Sequence, residues 1–109
     1  MAGARNNTGQ IEVTFGYRRH VGGRFVHGCV TLQFDALRPY DFISEARWPA
    51  SDNYEAAIRE AVEETLREFQ GHLKSPRVRL IRIEWDDIDS DEGGFRKAAA
   101  AATRAAFET

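Results

Sequence analysis

A short basic and aromatic segment, residues 18–28, holds the side chains with the most specific binding chemistry. Guanidinium groups can bind phosphate oxygens through paired hydrogen bonds, and an exposed phenyl ring can stack on an unpaired base. The segment contains no carboxylate that could neutralise its cations. We interpret it as a candidate RNA-binding site made of Arg18, Arg19, His20, Gly22, Gly23, Arg24, Phe25 and His27. The competing interpretation is a solvated strand edge that its charges protect from aggregation.

The other reactive residues lack the spacing of a catalytic or metal site. Asp87, Asp89 and Asp91 alternate as in a calcium loop, but Glu92 stands where that loop needs glycine and Ala98 where it needs glutamate. An acidic helix N-terminus is the better interpretation, because carboxylates favour the positive end of a helix dipole. We therefore expect no metal at this segment.

The remaining histidines and the single cysteine lead to the same expectation. The three histidines are scattered without ligand spacing, so we expect no metal site and no cofactor. With no cationic partner evident, the Cys29 thiol is interpreted as a bystander rather than a nucleophile. We expect a protein that is not an enzyme.

Length and composition bound the possible functions. A chain of 109 residues predicts one domain, which we place at residues 10–109 behind a flexible tail at 1–9. Fifteen basic and seventeen acidic residues give a net charge of −2, so RNA binding would need a local patch. One cysteine excludes an internal disulfide, and no segment resembles a signal peptide or a membrane span. A cytoplasmic location is the expectation.

Two alternating segments around Gly22-Gly23 predict a β-hairpin. Apolar and polar residues alternate from residue 11 to 17 and again from 26 to 34, which is typical of strands with one buried face. A two-residue glycine turn accepts the positive φ angles of a tight hairpin. It pairs Val21 with Arg24, so that paired residue numbers sum to 45. This register places Ile11 opposite Phe34, whereas a slip of one residue would oppose apolar and polar side chains.

The rest of the chain predicts one short strand, a helix, a longer strand and a last helix. The short strand lies within 40–48, and the first helix follows the capping residues 51–53 and ends near Gly71. The strand at 77–85 changes phase near Leu80-Ile81, which indicates either a bulge or burial on both faces. The last helix is predicted from about Gly94 to Phe107. The order β-β-(β)-α-β-α predicts an α+β fold, a mostly antiparallel sheet with both helices on one face.

Two distant segments resemble one known family. Residues 21–30, Val-Gly-Gly-Arg-Phe-Val-His-Gly-Cys-Val, are similar to the Ser-Gly-Gly-Arg-Gly-Gln-Tyr-Gly-His-Val run that opens domain IV of bacterial elongation factor G. Residues 88–100 resemble that family's Val-Asp-Ser-Ser-Glu-Leu-Ala-Phe-Lys-Leu-Ala-Ala-Ser, and Tyr40-Asp41-Phe42 resembles a Tyr-Glu-Phe between them. The matches are collinear over about residues 11–107.

The resemblance implies both a fold and a partner. It implies a left-handed βαβ crossover within the two-layer fold, and a module that contacts the ribosome or another structured RNA. In the parent factors this domain reaches the decoding region of the ribosome. This chain has no Gly-x-x-x-x-Gly-Lys-Ser/Thr run, so we expect no GTP binding.

One loop departs from the family pattern. The family carries a histidine at the tip of the loop before its last helix, and the aligned residue here is Asp86, followed by Asp87. Two carboxylates at these tip-loop positions would repel RNA phosphates. The alternative is therefore a protein-interaction or regulatory domain that kept the fold and lost RNA binding.

Overall fold

The described part of the chain folds into five strands and two helices. The computed structural model describes residues 4–5, 10–21, 24–35, 38–49, 53–68, 76–85 and 92–107, with the side chains of 4–5, 18–21 and 24–27 excepted. The elements are β1 (Ala4–Arg5), β2 (Gln10–Val21), β3 (Arg24–Asp35), β4 (Asp41–Ser44), α1 (Glu55–Arg67), β5 (Arg77–Glu84) and α2 (Glu92–Phe107). The predicted α+β class and order of elements are confirmed, including the short strand between hairpin and helix.

The sheet is mixed, with strand order β1-β2-β3-β5-β4. Only β4 and β5 run parallel, since α1 lies between them in the chain, and the other three pairings are antiparallel. The left-handed sense of this β4-α1-β5 crossover stays a prediction. Strand β1 lies within the segment interpreted as a tail, where Ala4 pairs with Glu12 and Arg5 with Ile11. The rest of residues 1–9 lies outside the described part of the chain.

The register of β2 and β3 is the one that the diglycine turn predicts. All twelve pairs, from Gln10 with Asp35 to Val21 with Arg24, have numbers that sum to 45. Val13, Val30, Leu32 and Phe34 are thereby buried on the helix side of the sheet. Gly22 and Gly23 themselves lie outside the described residues.

The change of phase in the strand predicted at residues 77–85 is a β-bulge. Leu32 pairs with Leu80, whereas the preceding Thr31 pairs with Arg82, so Ile81 is the extra residue of β5. The bulge keeps Leu80 and Ile83 on the helix side although their numbers differ in parity. Burial of Leu80 on one face is thus compatible with an exposed Arg82 on the other.

The N-cap residue of helix α1 is Tyr54 rather than one of the predicted residues 51–53, and its side chain makes no capping hydrogen bond. Asn53, one residue earlier, forms an Asx turn, in which its Oδ1 accepts a hydrogen bond of 2.9 Å from the backbone N–H of Glu55. Asp52, one of the predicted capping residues, and the predicted helix end at Gly71 lie outside the described residues. Helix α2 begins at Glu92, two residues before the predicted start. Neither described helix is long and apolar enough to cross a membrane.

Both helices cover the same face of the sheet and run parallel to each other. Arg96 Nη2 donates to Glu60 Oε1 over 2.8 Å, and Arg104 donates to both carboxylate oxygens of Glu68 over 3.2 and 2.9 Å. From the first pair to the second, the position moves eight residues forward on α1 and eight residues forward on α2. The two helix axes therefore run in the same direction. Beneath them a single core contains Ile58, Val62 and Phe95 with the sheet residues Leu32 and Leu80.

Candidate nucleic-acid interface

The β2-β3 hairpin continues beyond the end of β5 as a two-stranded ribbon. The last pair between β3 and β5 joins Cys29 to Glu84. Pairing between β2 and β3 continues from Tyr17 with Gly28 to Val21 with Arg24, and no described residue of β5 pairs with this part. We call residues 17–21 and 24–28 the ribbon. Four residue steps at about 3.3 Å each extend it by roughly 13 Å.

The predicted RNA-binding residues lie in this ribbon. Its backbone pairs Arg18 with His27 and His20 with Phe25, while Arg19 and Arg24 lie on its two strands. The register thus brings together positions that are up to nine residues apart in the chain. The orientation and partners of these side chains, and the turn at Gly22 and Gly23, lie outside the described residues and stay predictions.

The base of the ribbon is held against the start of α2 by a close backbone contact. A Cβ atom built on Gly28 would lie 2.5 Å from the backbone nitrogen of Phe95 and 2.6 Å from the carbonyl oxygen of Gly94. Only a residue without a side chain allows this approach. Lys97 of α2 makes a cation–π contact with Tyr17 of the neighbouring strand β2, with its Nζ 5.9 Å from the centre of the ring. This contact places a described cation beside the ribbon.

Four aromatic rings pack together next to this contact. Trp85 stacks on Phe95 and on Tyr54, each with ring centroids 5.8 Å apart. Trp48 meets Phe95 edge to face at 5.2 Å and Trp85 at 6.1 Å. The rings come from the segment after β4, the start of α1, the end of β5 and the first turn of α2. We call these four residues the aromatic cluster.

The aromatic cluster joins the elements that surround the ribbon base. Trp48 and Trp85 are half-buried and pack against the hydrophobic core. Their mutual contact was not predicted, because no periodic pattern links residues 48, 54, 85 and 95. This packing leaves the buried Nε1 of Trp48 without a hydrogen-bond partner among the described residues, which lowers the stability of the fold.

The acidic loop positions Asp86 and Asp87 lie outside the described residues, but both flanks of their loop are described. Trp85 directly follows Glu84, the register partner of Cys29, and Gly94 contacts the adjacent Gly28. The chain therefore leaves β5 and enters α2 beside the ribbon base. Whether the two carboxylates oppose binding stays a prediction.

Cys29 is a buried thiol in the sheet, 7% exposed and paired with Gly16. Its Sγ donates a hydrogen bond of 3.2 Å to Glu84 Oε2. Burial raises the pKa of the Cys29 thiol from 9.0 to about 11, with smaller contributions from this hydrogen bond and from the negative charge of Glu84. The positive charge of Arg82 lowers the pKa slightly. The thiol stays protonated at neutral pH, which agrees with the prediction of an unreactive bystander.

No group of three or more potential metal ligands occurs among the residues that the structure describes. The positions considered for metal binding from sequence lie outside them: residues 87, 89 and 91, together with the side chains of His20, His27 and His72. The expectation that the protein binds no metal therefore stays a prediction.

Comparison with known proteins relates this chain by its fold. No protein-family model and no curated protein sequence matches it. Among solved structures, it is similar to the crystal structure of a protein from Thermus thermophilus, with a TM-score of 0.68 and 21% sequence identity. The match covers 86% of this chain and 15% of that protein. The similarity shows a shared fold, carried by a small part of a much longer chain.

Proposed function

We propose that this domain is a non-enzymatic module that binds ribosomal or other structured RNA through the end of the ribbon. The observation that carries the proposal is the extension of the ribbon past β5, in a register that pairs Arg18 with His27. A projecting two-stranded ribbon can enter a groove that the wider helix-covered sheet cannot. Its arginines would then meet phosphates that lie deep in a folded RNA.

Local charge supports an RNA partner. Residues 17–28 contain three arginines and two histidines and no carboxylate, although the whole chain carries a net charge of −2. Lys97 adds a cation at the ribbon base. Three arginines alone support non-specific affinity on the order of 10⁻⁴ to 10⁻⁶ M at physiological salt. Tighter binding therefore requires a partner whose shape complements the ribbon, such as the ribosome.

The resemblance to domain IV of elongation factor G supports the same partner. In the sequence, the similar Gly-Gly-Arg run joins the two strands of the ribbon, and the second similar segment includes the first half of α2, beside the ribbon base. The Thermus thermophilus structure supports the fold on which this proposal depends. Because this chain has no Gly-x-x-x-x-Gly-Lys-Ser/Thr run, we propose a role in binding and none in GTP hydrolysis.

Ribosome co-sedimentation tests the proposal. The protein is centrifuged with ribosomes at low and at moderate salt, beside a variant in which Arg18, Arg19 and Arg24 are all replaced by alanine. We expect the native chain to co-sediment with ribosomes at low salt and to do so less at moderate salt. Binding releases counterions from the RNA, and this release becomes less favourable as the salt concentration rises. The triple variant should lose most of this association.

A second triple variant provides a matched control. Arg47, Arg59 and Arg67 are exposed and lie outside the ribbon, so replacing them with alanine removes the same total charge. This variant should co-sediment almost as the native chain does. Equal loss in both variants would indicate a general charge effect and contradict the ribbon as the site. Failure of the native chain to bind at either salt would favour a protein partner instead.

A further inference from the structure

A polar hollow of about 180 Å³ lies at the end of the sheet opposite the ribbon. It is formed where β2 begins, β3 ends and β5 begins, and its volume exceeds that of several water molecules. Three guanidinium groups and a single carboxylate line it, which leaves an excess of positive charge. The lining residues are Gln10, Gln33, Asp35, Arg38, Arg77 and Arg79.

The alternation of β5 explains why two of the arginines meet here. Val78 and Leu80 are fully buried beneath the helices, so the neighbouring Arg77 and Arg79 belong to the opposite face of the sheet. Their register partners on β3 are Asp35 and Gln33. Arg38 joins them from the turn after β3, where its backbone N–H donates to the carbonyl of Asp35.

Two buried N–H donors of the lining arginines have no hydrogen-bond acceptor in the described part of the chain. The Nε atoms of Arg77 and Arg79 are both buried and have no hydrogen-bond partner among the described residues. Arg79 Nε lies 3.2 Å from Glu45 Oε2, an ion pair whose geometry does not form a hydrogen bond. A buried N–H without an acceptor is unfavourable. Because the Nε atoms are inaccessible to solvent, an oxyanion in the hollow would be held by the other guanidinium nitrogens of Arg38, Arg77 and Arg79.

The acidic groups around the hollow limit what can occupy it. Asp35 is part of its lining, Asp41 is the register partner of Arg77 on β4, and Glu45 lies beside Arg79. These carboxylates would repel an extended polyanion that runs across the sheet. A compact anion that enters the hollow itself would contact the guanidinium groups at shorter range. We propose that the hollow is a binding site for a single phosphate group.

This site is distinct from the ribbon and does not depend on RNA binding there. Gln33, which lines the hollow, is separated from His27 of the ribbon by six residue steps along β3, or roughly 20 Å of strand. A phosphate in the hollow could come from free phosphate or from the terminal phosphate of a nucleotide. Both sources present the same oxygens to Arg38 and Arg77.

Calorimetric titration with inorganic phosphate tests the proposal, with sodium chloride at matched ionic strength as the blank. We expect saturable binding by the native chain and at least tenfold weaker binding by Arg77→Gln. Arg82→Gln is the matched control, because Arg82 lies on the same strand and face but outside the hollow. Arg38→Gln, at an exposed turn position, should also weaken binding and does not risk the fold of β5.

Uridine 5′-monophosphate and uridine form the second pair of titrations. Tighter binding of the nucleotide than of inorganic phosphate, with none for uridine, would assign the site to a terminal nucleotide phosphate. Tighter binding of inorganic phosphate would assign it to the free ion. The proposal is overturned if the native chain binds no phosphate, or if Arg77→Gln and Arg38→Gln both bind it as well as the native chain does.

Discussion

Gly28 of β3 and Gly94 of α2 are in backbone contact, and a methyl group on Gly28 would approach the Gly94 carbonyl oxygen to 2.6 Å. The atoms that this methyl group would meet are backbone atoms of Gly94 and Phe95, not the end of a flexible side chain that could move aside. Gly28→Ala must therefore shift the helix away from the sheet, and we expect a loss of stability of about 1–3 kcal/mol. Urea denaturation followed by circular dichroism measures the change.

Gly16→Ala is the matched control for this prediction. A Cβ on Gly16 would lie 3.7 Å from Cys29 Sγ, an ordinary van der Waals distance. Since alanine is favoured over glycine within a strand by roughly 0.5–1 kcal/mol, this variant should be as stable as the native chain or slightly more so. Equal destabilisation by both substitutions would contradict the close contact at Gly28.

Stability should fall at alkaline pH because of Cys29. The folded protein holds its thiol proton up to a pKa of about 11, whereas the ordinary value is 9.0. The folded state therefore binds more protons than the unfolded state between these values, and stability decreases as pH rises through them. Cys29→Ala should remove this part of the pH dependence. An unchanged slope between pH 9 and about 11 in that variant would contradict the assignment.

Trp48→Phe should be tolerated unusually well. The substitution keeps an aromatic ring for the contacts with Phe95 and Tyr54, and it removes an indole N–H that is buried without a partner among the described residues. An unsatisfied donor costs about 1–3 kcal/mol, which offsets the smaller ring. We expect a change within about 1 kcal/mol for Trp48→Phe, against about 3 kcal/mol or more lost in Trp48→Ala. A large loss in both would indicate that the indole N–H is satisfied.

Features set by short-range patterns could be predicted from the sequence. The diglycine turn and the alternation beside it determine the whole β2-β3 register, because a slip would expose one apolar face. The phase change at Leu80-Ile81 indicated either a bulge or burial on both faces, and the strand register shows the bulge. In both cases neighbours along the chain decide the outcome.

Features set by distant residues could not be predicted in the same way. The strand pairing of Ala4–Arg5 has no alternation to reveal it in a segment this short. The aromatic cluster and the polar hollow each need several segments that only the tertiary fold brings together. Arg77 and Arg79 alternate with Val78 and Leu80 in the sequence. This alternation could have predicted that the two arginines share the face of the sheet opposite the core.

Chemical-shift mapping of backbone amides tests the central claim most directly. The ¹⁵N-labelled chain is titrated with a hairpin RNA that reproduces the decoding region of the small ribosomal subunit. If the ribbon binds RNA, the largest shifts will fall on residues 17–28, with small changes in α1. Shifts that concentrate on the helices, or none at RNA concentrations well above roughly 10⁻⁴ M, would contradict RNA binding by the ribbon.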